Sequence, residues 1–386
     1  MEKIIVPEGF LFAGIHSGIK KQKEDLALFY CKDKCNAAGV FTKNSFKAAP
    51  VKICEQKLKN GEANVILVNS GIANAVTGEE GVINAKIMVE KLAEEIEVAN
   101  NNVLVCSTGI IGKQLPMEKI INALPKLKNA LGNSKQNVIS SAKGILTTDK
   151  KIKIVSDVVD GAKILAIGKG SGMLNPNMAT MLCFFFTDAK IGKAKLKKVL
   201  NGAVGDSLNQ ISIDGCESTN DSAIIFSNQK GKKIDENKFS IALKNISYKL
   251  AKLIVEDAEG SEKIILVTVK NAINYKQAKV ISKKIVLSDL VKTCVHGCDP
   301  NIGRIISAIG DSSNKYKNQN IKVSVCGDTV FDNETIQQFD KDKLAKKMKK
   351  SEITIGIDLK QGEFSANAFG CDLTEQYVKF NSKYST

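Results

Sequence analysis

The stretch that decides the reading is residues 167–189, IGKGSGMLNPNMATMLCFFFTDA. Gly168, Gly170 and Gly172, with Asn175-Pro176-Asn177, make a tight loop whose backbone reaches strained angles and approaches other groups closely. The loop runs directly into an apolar, strand-like segment at 181–187, so Thr180 stands at the mouth of a buried strand with the small Ala179 before it. Its hydroxyl can attack the Ala179 carbonyl. An N-to-O acyl shift followed by hydrolysis then frees Thr180 as a new N-terminus, and its α-amine, with a reference pKa of about 7.7–8.0, becomes the general base for its own hydroxyl. The plainer alternative is a strand threonine after a glycine loop, and this segment alone leaves both open.

A second stretch, VLVCSTGIIG at 103–112, is an apolar strand ending in Thr108-Gly109. A strand end followed by glycine exposes backbone N–H groups, and the adjacent hydroxyl adds a donor, which is the makeup of an oxyanion hole. Thr-Gly after a strand is also a common turn. Small and carboxamide residues gather at Asn69-Ser70-Gly71 with Asn74, at Thr147-Thr148-Asp149, at Asp214-Gly215 with Ser218-Thr219-Asn220-Asp221, and in EDAEG at 256–260. The single arginine, Arg304, suggests a place where fork geometry matters, such as an internal carboxylate pair.

The chain around these stretches has 386 residues, 43% hydrophobic and 25% charged, ordinary for a globular protein of two-domain scale. Its apolar runs fall far short of the ~20 residues that span a bilayer. The N-terminal MEKIIVPEGF lacks an apolar signal segment, so we expect a cytoplasmic protein without membrane partners. Two histidines, His16 and His296, read as structural. The ten cysteines lack zinc-ribbon spacing and read as small buried hydrophobes, so no metal is expected. The net charge of +15 comes from scattered Lys with few aromatics, which argues against nucleic acid and for solvated helix faces, with a field that favours small anions.

Strand-like runs fall at 63–69, 103–107, 163–167, 181–187, 223–227, 263–270 and 321–326. Helical spacing falls at 80–98, 117–130, 133–145, 191–209, 238–256, 274–288 and 334–349. The expected fold class is layered α/β or α+β. Neither dinucleotide nor P-loop motif is present, so ATP and NAD are not implied.

Taken together these segments resemble the ornithine acetyltransferase (glutamate N-acetyltransferase) family of arginine biosynthesis, from Val6-Pro7 to the last residue. The most specific match is KGSGMLNPNMATML at 169–182; others are VFTKNSFKAAPV, NSGIANA, STGIIG, TTD, STND, EDAEG, VKTCVHGCDPNIGR, GCDLT and the C-terminal FNSKYST. Departures from the usual pattern fall at Ile72, Ile167-Gly168, Asn175, Ile302 and Cys216-Glu217, and none removes a proposed catalytic atom.

The resemblance implies an αββα-layered, N-terminal-nucleophile-like core at 1–280 and a smaller C-terminal α/β domain at 281–386. It implies cleavage between Ala179 and Thr180 into α (1–179) and β (180–386) chains that assemble as an α2β2 heterotetramer. The implied activity is cofactor-free, ping-pong transfer of acetyl from N2-acetylornithine through Thr180 to glutamate, giving ornithine and N-acetylglutamate. Some members also take acetyl from acetyl-CoA. Carried over residue by residue, Thr180 is the nucleophile, Thr108 and Gly109 form the oxyanion hole, and substrate contacts fall on Thr147, Lys169, Thr180, Glu259, Asn381 and Thr386. The C-terminal tail is then expected to be ordered over the site. An amidase or aminopeptidase on the related scaffold would share the Thr180 logic with water as acceptor but lack the TTD, EDAEG and tail matches.

Overall fold

The computed structural model describes residues 3–175, 181–312 and 320–383; Ala179, Thr180 and Thr386 lie outside the described residues. The strand Leu182–Thr187 is buried at all six positions. A strand apolar on both faces must be covered on both faces, and its pleat builds two layers at once. Cys183 and Phe185 point into one core shared with the helices Lys193–Asp206 and Glu236–Glu256. Leu182, Phe184 and Phe186 point into a second core that lies between two sheets. There Phe186 stacks on Phe29 at 5.3 Å between ring centroids and meets Phe12 edge-on at 5.2 Å. Burial of each such ring is worth about 1.5–3 kcal/mol, so this aromatic cluster is the main adhesive between the sheets.

The first sheet carries four strands in the order Phe10–Ile15, Leu26–Cys31, Val65–Ile72, Val103–Ile110, the last two parallel. The second carries five in the order Asn36–Phe41, Ser222–Ser227, Leu182–Thr187, Ala162–Lys169, Lys153–Val159. Helices Gly78–Ile96 and Met117–Asn129 bury their apolar stripes on the outer face of the first sheet. The layering is αββα, as expected.

A third, six-stranded sheet occupies the C-terminal part. Its strand Ile264–Ala272 runs parallel to Glu352–Asp358 and antiparallel to Phe364–Cys371, and helix Tyr275–Leu287 packs on it. The expected boundary at 280 therefore falls inside a helix of this unit, whose sheet begins at Ile264. The two parts meet where Tyr248 packs on Phe369 at 4.8 Å and the Ser212 N–H donates to the Phe369 carbonyl at 2.9 Å.

The long helices stand where the spacing puts them, within a few residues at each end. The expected helix at 334–349 is instead the short strand Thr335–Ile336 followed by helix Lys341–Lys347, capped by Asp340. Asn333 and Glu334 both take positive φ and turn the chain into a hairpin with Asp328–Asp332. Arg304 is the other correction: its guanidinium donates to the Leu290 carbonyl and the Thr293 hydroxyl, at 2.9 and 3.1 Å, and forms no ion pair with a described carboxylate. All ten cysteines are free thiols. No described helix is long and apolar enough to cross a membrane.

Candidate active site

The strand Val103–Ile110 ends in a register break against Val65–Ile72, where Gly71 faces Gly109. Gly109 has φ +128°, and a Cβ there would lie 2.3 Å from the Gly71 carbonyl carbon. No L side chain fits that approach, so the glycine is demanded by the backbone and Thr108 is held at the strand's open end. Lys169 closes the neighbouring strand of the second sheet. Its ammonium donates to the Thr108 hydroxyl at 3.3 Å and lies 3.9 Å from the Asp149 carboxylate.

Asp149 is the charge anchor beneath the site. One oxygen accepts from Lys153 at 2.6 Å and from the Gly170 N–H at 2.7 Å, the other from the Thr147 N–H at 3.1 Å. Burial pushes this carboxyl up, but Lys169 and Lys153 outweigh it and hold it well below the usual carboxylate range. Lys153 also donates to Asp257 at 2.7 Å, making a buried acid–lysine–acid trio under the Thr147 turn.

Glu259 stands across the opening, nearly buried. The Thr148 hydroxyl donates to one of its oxygens and the Asn381 carboxamide to the other, at 3.2 Å. A Cβ on Gly172 would sit 2.3 Å from that carboxylate, so glycine at this place in the KGSGM segment makes room for Glu259. Asp214 ties down the same segment by accepting from the Met173 and Leu174 N–H groups at 2.6 and 2.8 Å. These groups surround a cavity of about 220 Å³ lined by Thr108, Gly109, Thr147, Lys169, Glu259 and Asn381, with Met181 and Leu182 at the start of the aromatic strand. Every expected site residue that is described lines this one cavity; Ala179, Thr180 and Thr386 lie outside the described residues. The arrangement offers an ammonium for a carboxylate, a carboxylate for an ammonium, and a hydroxyl beside a glycine N–H.

The ArgJ family model matches residues 11–386 of this chain. The chain belongs to the ArgJ family. It is 43% identical over 399 residues to the arginine biosynthesis bifunctional protein ArgJ of Caldanaerobacter subterraneus subsp. tengcongensis, an alignment covering 100% of this chain and 98% of that one. It is 37% identical over 388 residues to the glutamate N-acetyltransferase of Methanopyrus kandleri, with 98% of this chain and 99% of that one covered. Among solved structures it is similar to the arginine biosynthesis bifunctional protein of Bacillus halodurans, at 36% identity and a TM-score of 0.43, over 45% of this chain and 92% of that one.

Several residues that shape the cavity of this ArgJ-family enzyme carried no role in the sequence reading. Lys153 is the clearest. The strand Lys153–Val159 lies outside the strand-like runs given above, and within it Lys153 alternates in phase with the buried Val155, which is the one sequence signal of its burial. Tyr377 also lines the cavity, from helix Glu375–Asn381. Burial, then the nearby Asp214, Cys216 and Glu259, push its phenol up. His296 anchors the base of that helix, with Nδ1 at 3.1 Å from Asp372 and Nε2 at 3.5 Å from Glu375. Among the described residues, Glu262, His296 and Asp372 form a group with donor atoms within 4.8 Å of one another. Asp372 spends its other oxygen on the Glu262 and Lys263 N–H groups.

Proposed function

We propose that the chain cleaves itself between Ala179 and Thr180 and then transfers acetyl from N2-acetylornithine to glutamate through an acetyl-Thr180 intermediate, as an α2β2 assembly in the cytoplasm. The observation that carries this reading is the convergence of six residues from five separate stretches of sequence on one cavity. The names of the full-length relatives, ArgJ bifunctional protein and glutamate N-acetyltransferase, support the same reaction class.

In this mechanism the Thr180 amine takes the proton of its own hydroxyl, and the oxygen attacks the acetyl carbonyl. The Thr108 hydroxyl and Gly109 N–H receive the developing oxyanion, and donors of this kind are worth about 10²–10³ in kcat each. Lys169 pairs with the α-carboxylate of the substrate and Glu259 with the δ-ammonium of ornithine, while Thr147, Asn381 and Thr386 complete the contacts. Ornithine leaves with the proton, and glutamate then enters with its α-carboxylate on Lys169 and accepts the acetyl group on its amine, so one nucleophile serves both half-reactions without a cofactor. Purified protein should release N-acetylglutamate from N2-acetylornithine plus glutamate with parallel-line kinetics. Intersecting lines would contradict an acetyl-enzyme, and release of free acetate without transfer would favour the amidase alternative.

A further inference from the structure

We propose that Asn220 is a positioning residue that locks the oxyanion strand of the first sheet to the second sheet; this deepens the reading above and rests on Thr108 and Gly109 acting as the oxyanion hole. Asn220 precedes the strand Ser222–Ser227 of the second sheet. Its carboxamide crosses to the first sheet, where Nδ2 donates to the Ala73 carbonyl at 2.5 Å and to the Ser107 carbonyl at 2.8 Å. These carbonyls flank the register break at Gly71 and Gly109 from its two sides. The Ala73 N–H in turn donates to the Ile110 carbonyl at 2.9 Å, so the flanks are laced together.

The Ser107 carbonyl and the Thr108 N–H belong to one planar peptide. Holding that oxygen sets the plane from which the Thr108 side chain departs and, one residue on, the direction of the Gly109 N–H. Glycine at φ +128° has little preference of its own for that angle, so an outside hold is needed. A second brace runs beneath: the Ser107 hydroxyl donates to Asn69 Oδ1 at 2.5 Å, and Asn69 Nδ2 donates to the Ile72 carbonyl at 2.8 Å. The Thr219 hydroxyl donates to Asn220 Oδ1 at 2.6 Å, which fixes the carboxamide. Turned over, it would set its oxygen against the two carbonyls. Asn69, Ser107 and Asn220 are all buried, Asn220 at the wall of the cavity, so losing the carboxamide leaves the Ala73 and Ser107 carbonyls without their protein donor.

The test compares Asn220→Asp and Asn220→Ala in the full, self-processed protein. Aspartate keeps the shape but has at most one proton to donate. Facing two carbonyls in a buried place, its carboxyl is driven above the usual range, so the neutral, donating form prevails at low pH. We expect kcat to fall about a hundredfold at pH 8 with KM for N2-acetylornithine little changed, because a misaimed oxyanion hole weakens transition-state and not ground-state contacts. The aspartate variant should regain part of its kcat as the pH drops, while the alanine variant should not. Wild-type kcat in both variants, or a rise in KM alone, would overturn the proposal.

Should either variant fail to fold or cleave, Thr219→Val keeps the shape and removes the hydroxyl that orients the carboxamide. It should lower kcat by about tenfold at unchanged KM, and an unchanged kcat would overturn the proposal. Thr108→Ala in the same assay separates the two claims. If that variant loses no kcat, the oxyanion reading itself is wrong; if it does while the Asn220 and Thr219 variants match wild type, the positioning claim alone is wrong.

Discussion

At the residue scale, Lys169 and Glu259 place opposite charges on two sides of one cavity, an arrangement that suits the small zwitterion of the proposed reaction. Glu259 is held by Thr148 and Asn381 before any substrate arrives, so its orientation costs nothing on binding. Glu259→Gln keeps the shape and removes the charge; losing a charge-assisted contact of about 1.5–3 kcal/mol should raise KM for N2-acetylornithine by roughly ten- to hundredfold, measured by steady-state kinetics. Asp149 does different work. Its carboxyl is held low in the folded chain, so the stability it contributes is present above the unfolded value of about 3.9 and is lost as pH falls toward the folded value. Asp149→Asn leaves Lys169 and Lys153 short of a partner in a buried place and should destabilise the fold at pH 7 by about 3–5 kcal/mol. In urea melts followed against pH, that deficit should shrink on acidification.

At the element scale, the helix Glu375–Asn381 has no buried residue, yet it delivers Tyr377 and Asn381 to the cavity. It contributes contacts to the site and little to the core. Ending the chain after Thr374 should therefore leave the melting temperature nearly unchanged while kcat/KM falls by about tenfold or more, because the hold on Glu259 and the proposed Asn381 and Thr386 contacts go with the helix and tail. The aromatic strand Leu182–Thr187 is the reverse case: Phe186→Ala should cost about 3–5 kcal/mol of stability, read by chemical denaturation.

The same contrast explains what the sequence made legible. Runs such as 181–187 and the periodic helices carry their signal locally, through burial on both faces or along one stripe. The hairpin at Asn333-Glu334 does not, because Lys spacing over 341–350 imitates a longer helix and the turn rests on two positive φ values. The strand Ile264–Ala272 was visible as a strand, but its membership in the C-terminal sheet depends on partners at 352–371, far along the chain. In the site, Thr108, Gly109, Lys169 and Glu259 stood out through their motifs. Lys153 did not: its phase with Val155 is a single faint sign of burial, and the Asp149 and Asp257 partners that make burial tolerable are brought to it only by the fold.

At the scale of the whole molecule, the αββα core places the strand that ends in Thr108 and Gly109 on one sheet and the start of the aromatic strand on the other, so the cavity lies where the two sheets meet. The net charge of +15 surrounds this site with a field that favours carboxylates, and raising ionic strength should lower kcat/KM for glutamate. The proposed α2β2 assembly predicts a native mass near twice 41.7 kDa by light scattering. The central claim, self-cleavage that unmasks a threonine nucleophile, is tested most directly by the intact mass of an active preparation under denaturing conditions. Wild-type protein should give pieces of 179 and 207 residues, the second beginning at Thr180, and Thr180→Ala should give one inactive chain of 386 residues. A single uncut chain from an active wild-type preparation would contradict it.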